Sequence, residues 1–108
     1  MVVRVRQSSN VILRNGLILE IKVHNQAQVY IRLYWFYEPE RLPGGRQIFH
    51  GRRELVGTNH MVVMDAANIF SKANIKHWNE GLAQTLPEGL YWRQDLDVLT
   101  GALSVSPC

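Results

Sequence analysis

The sequence is poor in cysteine, with one among its 108 residues, Cys108. A single thiol excludes an internal disulfide and cannot by itself build a structural zinc site. It suits a reducing compartment such as the cytosol or the nucleus. No apolar run approaches the ~18–20 residues that cross a membrane as a helix. The first ten residues lack an apolar stretch and a small-residue cleavage site, so we expect no signal peptide.

Patterns typical of catalysis or metal binding are also absent from the sequence. The four histidines have neither the i, i+4 spacing nor the carboxylate neighbours of a zinc site. The segment LPGGRQ lacks the helix and the Lys-Ser/Thr step of a phosphate-binding loop, so we interpret it as a turn. Ser8 and Ser9 have no identifiable base partner. We therefore expect no enzymatic activity, no metal and no cofactor.

The sequence does contain enough apolar material for one domain. Hydrophobic residues make up 46% of the chain, and a chain of this length buries roughly two thirds of its unfolded surface on folding. The net charge is +3 and the isoelectric point is about 9.4. This mild basic bias favours acidic partners, including nucleic acid, without requiring one. We expect neither a membrane nor a small-molecule substrate as a partner.

Hydrophobic and polar residues alternate through much of the chain. In GLILEIKVH, the side chains of Leu17, Leu19, Ile21 and Val23 are predicted to share one face of a half-buried strand. The run QVYIRLYWFY alternates again, and the polar NQAQ between the two runs predicts a β-hairpin. RELVG and HMVVMDA are predicted as two shorter strands and the segment 90–101 as a short final element, whereas DAANIFSKANIKHW fits a short helix or a strand. The pattern predicts a mainly β fold, a small and strongly bent sheet or barrel.

Four consecutive aromatic residues, YWFY, end the second run. Successive strand side chains point to opposite faces, so Trp35 and Tyr37 are predicted side by side, about 6.5–7 Å apart. Pro39 ends the strand just after them. Two interpretations stay open. The rings pack in the core, the commoner role of such residues, or they line a pocket mouth and enclose a quaternary ammonium group by cation–π contacts. Glu38 would then add a negative field for a cationic peptide.

From Val29 to Trp78 the chain resembles the bromo-adjacent homology (BAH) domain. The family signature is an aromatic-rich strand end, W-[FY]-Y-x-P-E, followed by a basic loop, H-x-x-[KR]-E-L, S/T-x-H and a G/S-K step. The chain has these in order as WFYEPE, HGRREL, TNH and SK. The later LYWRQDLDVLTGALS is similar to the extension found in fungal proteins that carry a BAH domain before a PHD finger.

The resemblance implies a fold and a division of the chain. The fold is a small distorted β-barrel without catalysis, with short helical or loop elements near the C-terminus. The implied parts are a divergent N-terminal segment at 1–12, a BAH core at 13–80 and a C-terminal extension of the domain at 81–108.

The resemblance also implies a function. The plant and fungal BAH–PHD proteins with the most similar pattern are nuclear readers that bind a trimethylated lysine of the histone H3 tail, a Polycomb-type mark of gene silencing. On that pattern, Trp35 and Tyr37 carry over as two walls of a methyl-lysine cage. His60, Glu38 and Asn59 are predicted to line the peptide groove.

The chain departs from the family pattern at the third cage wall. The family usually has an aromatic residue just before G-x-[IV] in the earlier strand, where this chain has Leu13, Arg14 and Asn15. Arg14 near the site would repel a cationic ligand. The alternative function is therefore a BAH-type protein-interaction or nucleosome-binding scaffold with an incomplete cage and no methyl-lysine dependence.

A candidate basic rim follows the aromatic run and consists of Arg46, Arg52 and Arg53. Such a rim suits contact with DNA phosphate or with an acidic nucleosome surface. A solvated charged rim is the commoner role of such residues, and both interpretations stay open.

Overall fold

The computed structural model describes residues 1–6, 13–79 and 85–105, and these residues are mainly β. Parts of the predicted segments 1–12 and 81–108 lie outside this range. In the described ranges no helix is long and apolar enough to cross a membrane. The mainly β prediction is confirmed, and helix is limited there to two single 3-10 turns, Pro39–Arg41 and Ala66–Asn68. The strands are β1 (Val2–Arg6), β2 (Leu13–Asn25), β3 (Gln28–Tyr37), β4 (Glu54–Asp65), β5 (Ile69–Lys72), β6 (Ile75–His77), β7 (Leu90–Leu96) and β8 (Leu103–Val105).

The chain divides into two compact units. Unit 1 comprises Met1–Phe36 and His60–Ala73, and unit 2 comprises Tyr37–Asn59 and Asn74–Cys108. The division falls within β3 and within β4, so each of these strands contributes residues to both units. The predicted site residues are consequently distributed over the two units.

Unit 1 is built on antiparallel strands in the order β5, β1, β2, β3. The predicted hairpin is confirmed, because β2 pairs with β3 and the two strands meet where Asn25 is opposite Gln28. The Asn25 Oδ1 accepts a hydrogen bond of 2.8 Å from the backbone N–H of Ala27. An asparagine side chain that bonds the backbone two residues on favours a tight reversal of the chain.

The predicted face of β2 is wrong beyond Ile18. A bulge leaves Leu19 without a partner position: Ile18 is opposite Leu33, and Ile21 is opposite Ile31. An extra residue in one strand moves the following side chains to the other face, so Ile21 shares a face with Ile31 and not with Leu17. Leu19, Ile21 and Val23 were predicted on one half-buried face. They are all exposed, because both faces of β2 are exposed from Leu19 to Asn25.

The buried residues of unit 1 come chiefly from β1 and β3. Val3 and Val5 alternate with exposed arginines on β1, and Ile31, Leu33 and Trp35 alternate on β3. This is the period of two that places every second side chain on one face. The parity predicted for this part of β3 is therefore confirmed. Trp35, only 3% exposed, belongs to the core of unit 1.

Unit 2 is organised around β7. The first part of β4 pairs with it in parallel, with Glu54 opposite Tyr91, and β6 is also parallel to β7. The short β8 pairs antiparallel with the end of β7. A small apolar cluster in this unit consists of Leu42, Val56 and Leu96, with Tyr37 packed against it.

Two sequence-based element assignments are corrected. RELVG and HMVVMDA were predicted as separate strands but form one continuous β4. The ambiguous segment after it is mainly strand: Asp65 accepts a hydrogen bond from the N–H of Ala67 and caps a 3-10 turn, and β5 and β6 follow. Gly57 permits the continuous strand, because a side chain there would overlap the carboxylate of Asp95 on the neighbouring β7.

Candidate protein-interaction site

The ring of Trp35 is already covered by a cation. Arg14 on β2 lies in the same unit, and its guanidinium carbon is 4.4 Å from the centroid of the indole ring. The register explains the contact, because Gly16 is directly opposite Trp35 and brings the start of β2 against the end of β3. A cation within about 6 Å of an indole face is attracted by the ring quadrupole. Arg14 therefore occupies a position over Trp35 that a methylammonium group needs.

Tyr37, the second predicted cage residue, belongs to unit 2 and has a similar contact. The guanidinium carbon of Arg41 is 4.6 Å from the centroid of its phenol ring. Arg41 reaches this position because Pro39 begins a single 3-10 turn, closed by a hydrogen bond of 2.9 Å from the Arg41 N–H to the carbonyl of Glu38. The side chain of Glu38 is exposed at the start of this turn.

Asn59, predicted to line the groove, ties β4 to the turn after β7 within unit 2. Its Nδ2 donates to Asp97 Oδ1 at 3.1 Å, and its Oδ1 accepts from the N–H of Val98 at 2.8 Å. The hydrogen bond from Asn59, together with one from the Leu99 N–H, lowers the pKa of Asp97. Both polar atoms of the Asn59 amide group thus have structural partners.

His60 follows directly in the sequence but belongs to unit 1, where it is half-buried on β4. Its neighbours Asn59 and Met61 are exposed. The predicted groove residues Asn59 and His60 therefore belong to different units.

The three arginines of the candidate basic rim differ in whether an ion pair compensates their charge. Arg46 pairs with Glu40 through two hydrogen bonds of 2.8 and 3.1 Å and donates a third, of 2.7 Å, to the carbonyl of Gly51. The hydrogen bond from Arg46 lowers the pKa of Glu40, and the same bond raises the pKa of Arg46. Arg46 is thus partly neutralised. Arg52 and Arg53 are exposed and have no ion-pair partner among the described residues.

The buried polar centre of unit 2 was not predicted from the sequence. The Glu54 carboxylate is completely buried and accepts from Arg93 Nε at 2.9 Å and Nη2 at 3.2 Å, and from the Gly51 N–H at 3.0 Å. Glu54 is opposite Tyr91 across the β4–β7 pair, and Arg93 is two residues further along β7, so all three share a face. The available signal was a carboxylate at the start of the apolar run ELVG.

Arg93 also connects several loops around this ion pair. Its guanidinium donates to the carbonyl of Phe49 at 2.7 Å and lies 5.2 Å from the ring centroid of Trp78 and 5.5 Å from that of Phe49. The burial of Tyr91, followed by the charge of Glu54, raises the pKa of the Tyr91 phenol. This network is structural, because each of its charged groups is satisfied by another residue of unit 2.

His50 has the structural role that the sequence indicates for a histidine without metal-ligand spacing. It is buried, its Nδ1 accepts from the Gln47 N–H at 2.9 Å, and its Nε2 is 2.8 Å from Gln94 Oε1. The two contacts require the tautomer in which Nε2 carries the proton. No group of three or more metal-ligating side chains occurs within the part of the chain that the structure describes.

The chain is similar to a curated chromatin protein and to solved structures, among them a BAH domain. The chain is 32% identical over 88 residues to the chromatin remodeling protein EBS of Arabidopsis thaliana, an alignment that covers 80% of this chain and 37% of that protein. The crystal structure of the yeast Rsc2 BAH domain matches with a TM-score of 0.72 and 14% identity, covering 98% of this chain and 47% of that one. No protein-family profile matches the chain.

These comparisons establish the type of domain. A TM-score of 0.72 over almost the whole chain shows that it has the fold of a BAH domain. The resemblance inferred from WFYEPE, HGRREL, TNH and SK is confirmed. The chain spans little more than a third of the length of the curated relative that it matches.

Proposed function

We propose that the chain is a non-enzymatic chromatin module of the nucleus that binds a protein partner, the histone H3 tail in the first place, without depending on lysine methylation. The relative with 32% identity is a chromatin remodeling protein, which supports association with chromatin. The absence of methyl dependence is inferred from one observation. The guanidinium carbon of Arg14 lies 4.4 Å from the centroid of the Trp35 ring, and Trp35 is 3% exposed.

Arg14 and a methylated lysine compete for one aromatic face, that of Trp35. A partly desolvated cation–π contact contributes about 0.5–2 kcal/mol. A methylated lysine gains a similar amount only after Arg14 has lost its own, and the displaced guanidinium then repels the ligand from close by. The net gain from methylation is therefore close to zero, although other contacts with a peptide are unaffected. Backbone pairing along a strand edge, for example, depends little on side-chain modification.

A fluorescence-polarisation titration with H3 tail peptides, unmodified and trimethylated, tests this proposal directly. We expect the protein to bind both forms with dissociation constants within about twofold. A twofold ratio corresponds to about 0.4 kcal/mol, which is less than the free energy of one cation–π contact. Trp35→Phe, which keeps an aromatic ring in the buried position, is expected to leave the ratio unchanged. A tenfold or greater preference for a trimethylated peptide, or no binding to any H3 peptide, would contradict the proposal.

Methyl-lysine reading is the second candidate, and a specific observation favours it. Each of the two predicted cage rings already has a cation over it, at 4.4 Å for Trp35 and 4.6 Å for Tyr37. Each ring is thus suited to a cation, and in this candidate the ligand displaces Arg14 from Trp35. Arg14→Gln distinguishes the candidates. A reader gains at least tenfold in affinity for the trimethylated peptide alone, whereas a methyl-independent module shows the same change with both peptides.

A further inference from the structure

Unit 2 contains a cavity that none of the predicted cage or groove residues lines. Its volume is about 590 Å³, and it is lined by Gly51, Arg52, Arg53, Leu86 and Tyr91. Clefts that hold small organic ligands have volumes of roughly 300–1,000 Å³. The cavity is larger than an isolated phosphate ion requires, and it has room for a phosphate together with its attached sugars.

Two arginines give this cavity a positive charge, and no ion pair among the described residues cancels it. Arg52 and Arg53 have exposed side chains, and neither makes an ion pair or side-chain hydrogen bond with another described residue. The nearby arginines differ in this respect, since Arg46 is paired with Glu40 and Arg93 with Glu54. Glu54 faces Arg93, so its charge is compensated inside the unit. The cavity therefore attracts an anion.

The turn that carries the two arginines is fixed from several directions. The Gly51 carbonyl accepts from Arg46 Nη1 at 2.7 Å and from the Glu54 N–H at 3.2 Å, and the Gly51 N–H donates to Glu54 Oε1 at 3.0 Å. The Arg53 carbonyl accepts from the Tyr91 N–H at 3.2 Å. A fixed backbone lowers the entropy lost when the arginines bind a ligand, which is the advantage of a preorganised site.

The residues around the two arginines indicate which anion fits. A guanidinium group matches a phosphate with two parallel hydrogen bonds. Tyr91 is 2% exposed, and Trp78 lies edge-on against it with ring centroids 5.6 Å apart, so its ring is not available for stacking on a base. Contacts to phosphate and sugar position a protein on nucleic acid without reading its sequence.

We propose that the Arg52–Arg53 cavity of unit 2 binds the phosphate backbone of nucleic acid without sequence preference. The ligand is the phosphodiester backbone, held by the two guanidinium groups, with the sugars against Leu86. Arg46 is not part of this site, because Glu40 neutralises it. The proposal does not rest on histone-tail binding, since it uses none of the cage or groove residues and is tested with a different ligand.

The test is a fluorescence-polarisation titration of the full chain with a labelled duplex of about 20 base pairs, over roughly 25–200 mM salt. The double variant Arg52→Gln/Arg53→Gln is compared with Arg4→Gln/Arg32→Gln, which removes the same charge from exposed strand positions in unit 1. We expect the cavity variant to lose at least tenfold in affinity and the control less than threefold. The slope of log affinity against log salt concentration should be smaller by roughly two in the cavity variant, because each lost phosphate contact removes about 0.9 from its magnitude.

Three results would overturn the proposal. One is no binding to the duplex. Another is an equal loss of affinity in the two double variants, which would show that only the net charge of the chain matters. The third is competition by polyglutamate or by inorganic phosphate, at matched ionic strength, as effective as competition by unlabelled DNA. Polyglutamate competition would indicate an acidic protein as the partner, and phosphate competition a free ion. Thermal melting of both variants distinguishes lost contacts from unfolding, and two duplexes of different sequence should bind equally.

Discussion

Among individual residues, Arg93 has the most demanding role, because a completely buried carboxylate depends on it. The side chain of Arg93 is 13% exposed and that of its partner Glu54 is 0% exposed. A buried ion pair adds little to stability compared with apolar residues of the same shape, but removal of one partner leaves a buried charge uncompensated. The position is therefore sensitive to substitution even though it has no place in the proposed binding contacts.

Arg93→Met is expected to lower the free energy of unfolding by about 3–5 kcal/mol, the usual cost of leaving one member of a buried pair alone. Methionine keeps much of the volume of the side chain, so the loss reflects charge and hydrogen bonds. Urea denaturation followed by tryptophan fluorescence measures it. Arg52→Met, an exposed position in the same unit, serves as the control and should stay within about 0.5 kcal/mol of the original chain. A small effect at Arg93 would mean that water reaches Glu54.

Individual residues also show the limits of inference from the sequence. Strand parity correctly placed Trp35 with Ile31 and Leu33, and the family pattern grouped Arg14 with the site by its position before Gly16. The direct contact of Arg14 with the ring follows from the register of β2 on β3, which no local pattern specifies. Glu54 and Arg93 are 39 residues apart, so only the parallel pairing of β4 and β7 brings them together.

At the scale of elements, the loop between β3 and β4 depends on a glycine. A Cβ atom on Gly51 would overlap the phenol oxygen of Tyr91, which is buried on β7 and cannot move aside. Gly44, in the same loop, has only the flexible amide nitrogen of Gln47 nearby, at 3.3 Å. The two glycines therefore have different tolerance to the same substitution.

Gly51→Ala is expected to destabilise unit 2 by about 1–3 kcal/mol, the usual cost of overpacking. Gly44→Ala is the matched control and should change the free energy of unfolding by about 0.5 kcal/mol or less. A double-mutant cycle with Tyr91→Phe checks the cause, because removal of the phenol oxygen should recover part of the loss when it is combined with Gly51→Ala. Additive effects of the two substitutions would show that the clash is elsewhere.

The hairpin of unit 1 is the element where the sequence pattern misled most. Its existence and its turn were predicted correctly from NQAQ between two alternating runs. The extra residue at Leu19 then moved Ile21 and Val23 to the face opposite that of Leu17. They are 57% and 69% exposed, because this end of β2 is exposed on both faces. A bulge depends on the fit between two strands, so alternation within one strand cannot reveal it.

At the scale of the whole molecule, the acid dependence of stability follows from carboxylates that the fold stabilises in their charged form. The pKa of Glu40 is lowered by its hydrogen bond with Arg46, and the pKa of Asp97 is lowered by hydrogen bonds from Asn59 and the Leu99 N–H. A pKa that is lower in the folded state than in the unfolded state contributes stability above the unfolded value. That contribution disappears as the pH falls through the folded value.

The melting temperature should therefore be nearly constant between about pH 7 and 5 and fall below about pH 4, where these carboxyl groups gain protons. In the double variant Glu40→Gln/Asp97→Asn the same acidification should cause a smaller decrease. Because Glu40 is exposed and Asp97 only half-buried, the difference is expected to be modest. Melting curves by circular dichroism across this range measure it, and the single variants separate the two groups. Identical acid profiles with and without the substitutions would contradict the assignment.

The sequence by itself determined the mainly β class, the hairpin, the order of motifs that resembles a BAH domain, and the placement of Trp35 and Tyr37 on one strand. These features depend on neighbouring residues, since the period of two and the turn-forming side chains act locally. The tertiary structure alone decided that Arg14 covers Trp35, that Arg93 neutralises Glu54, and that Arg52 and Arg53 stand at a cavity beside Tyr91. Each of these results depends on strand register and on pairing between distant segments, which determine where a charge lies and whether it is compensated.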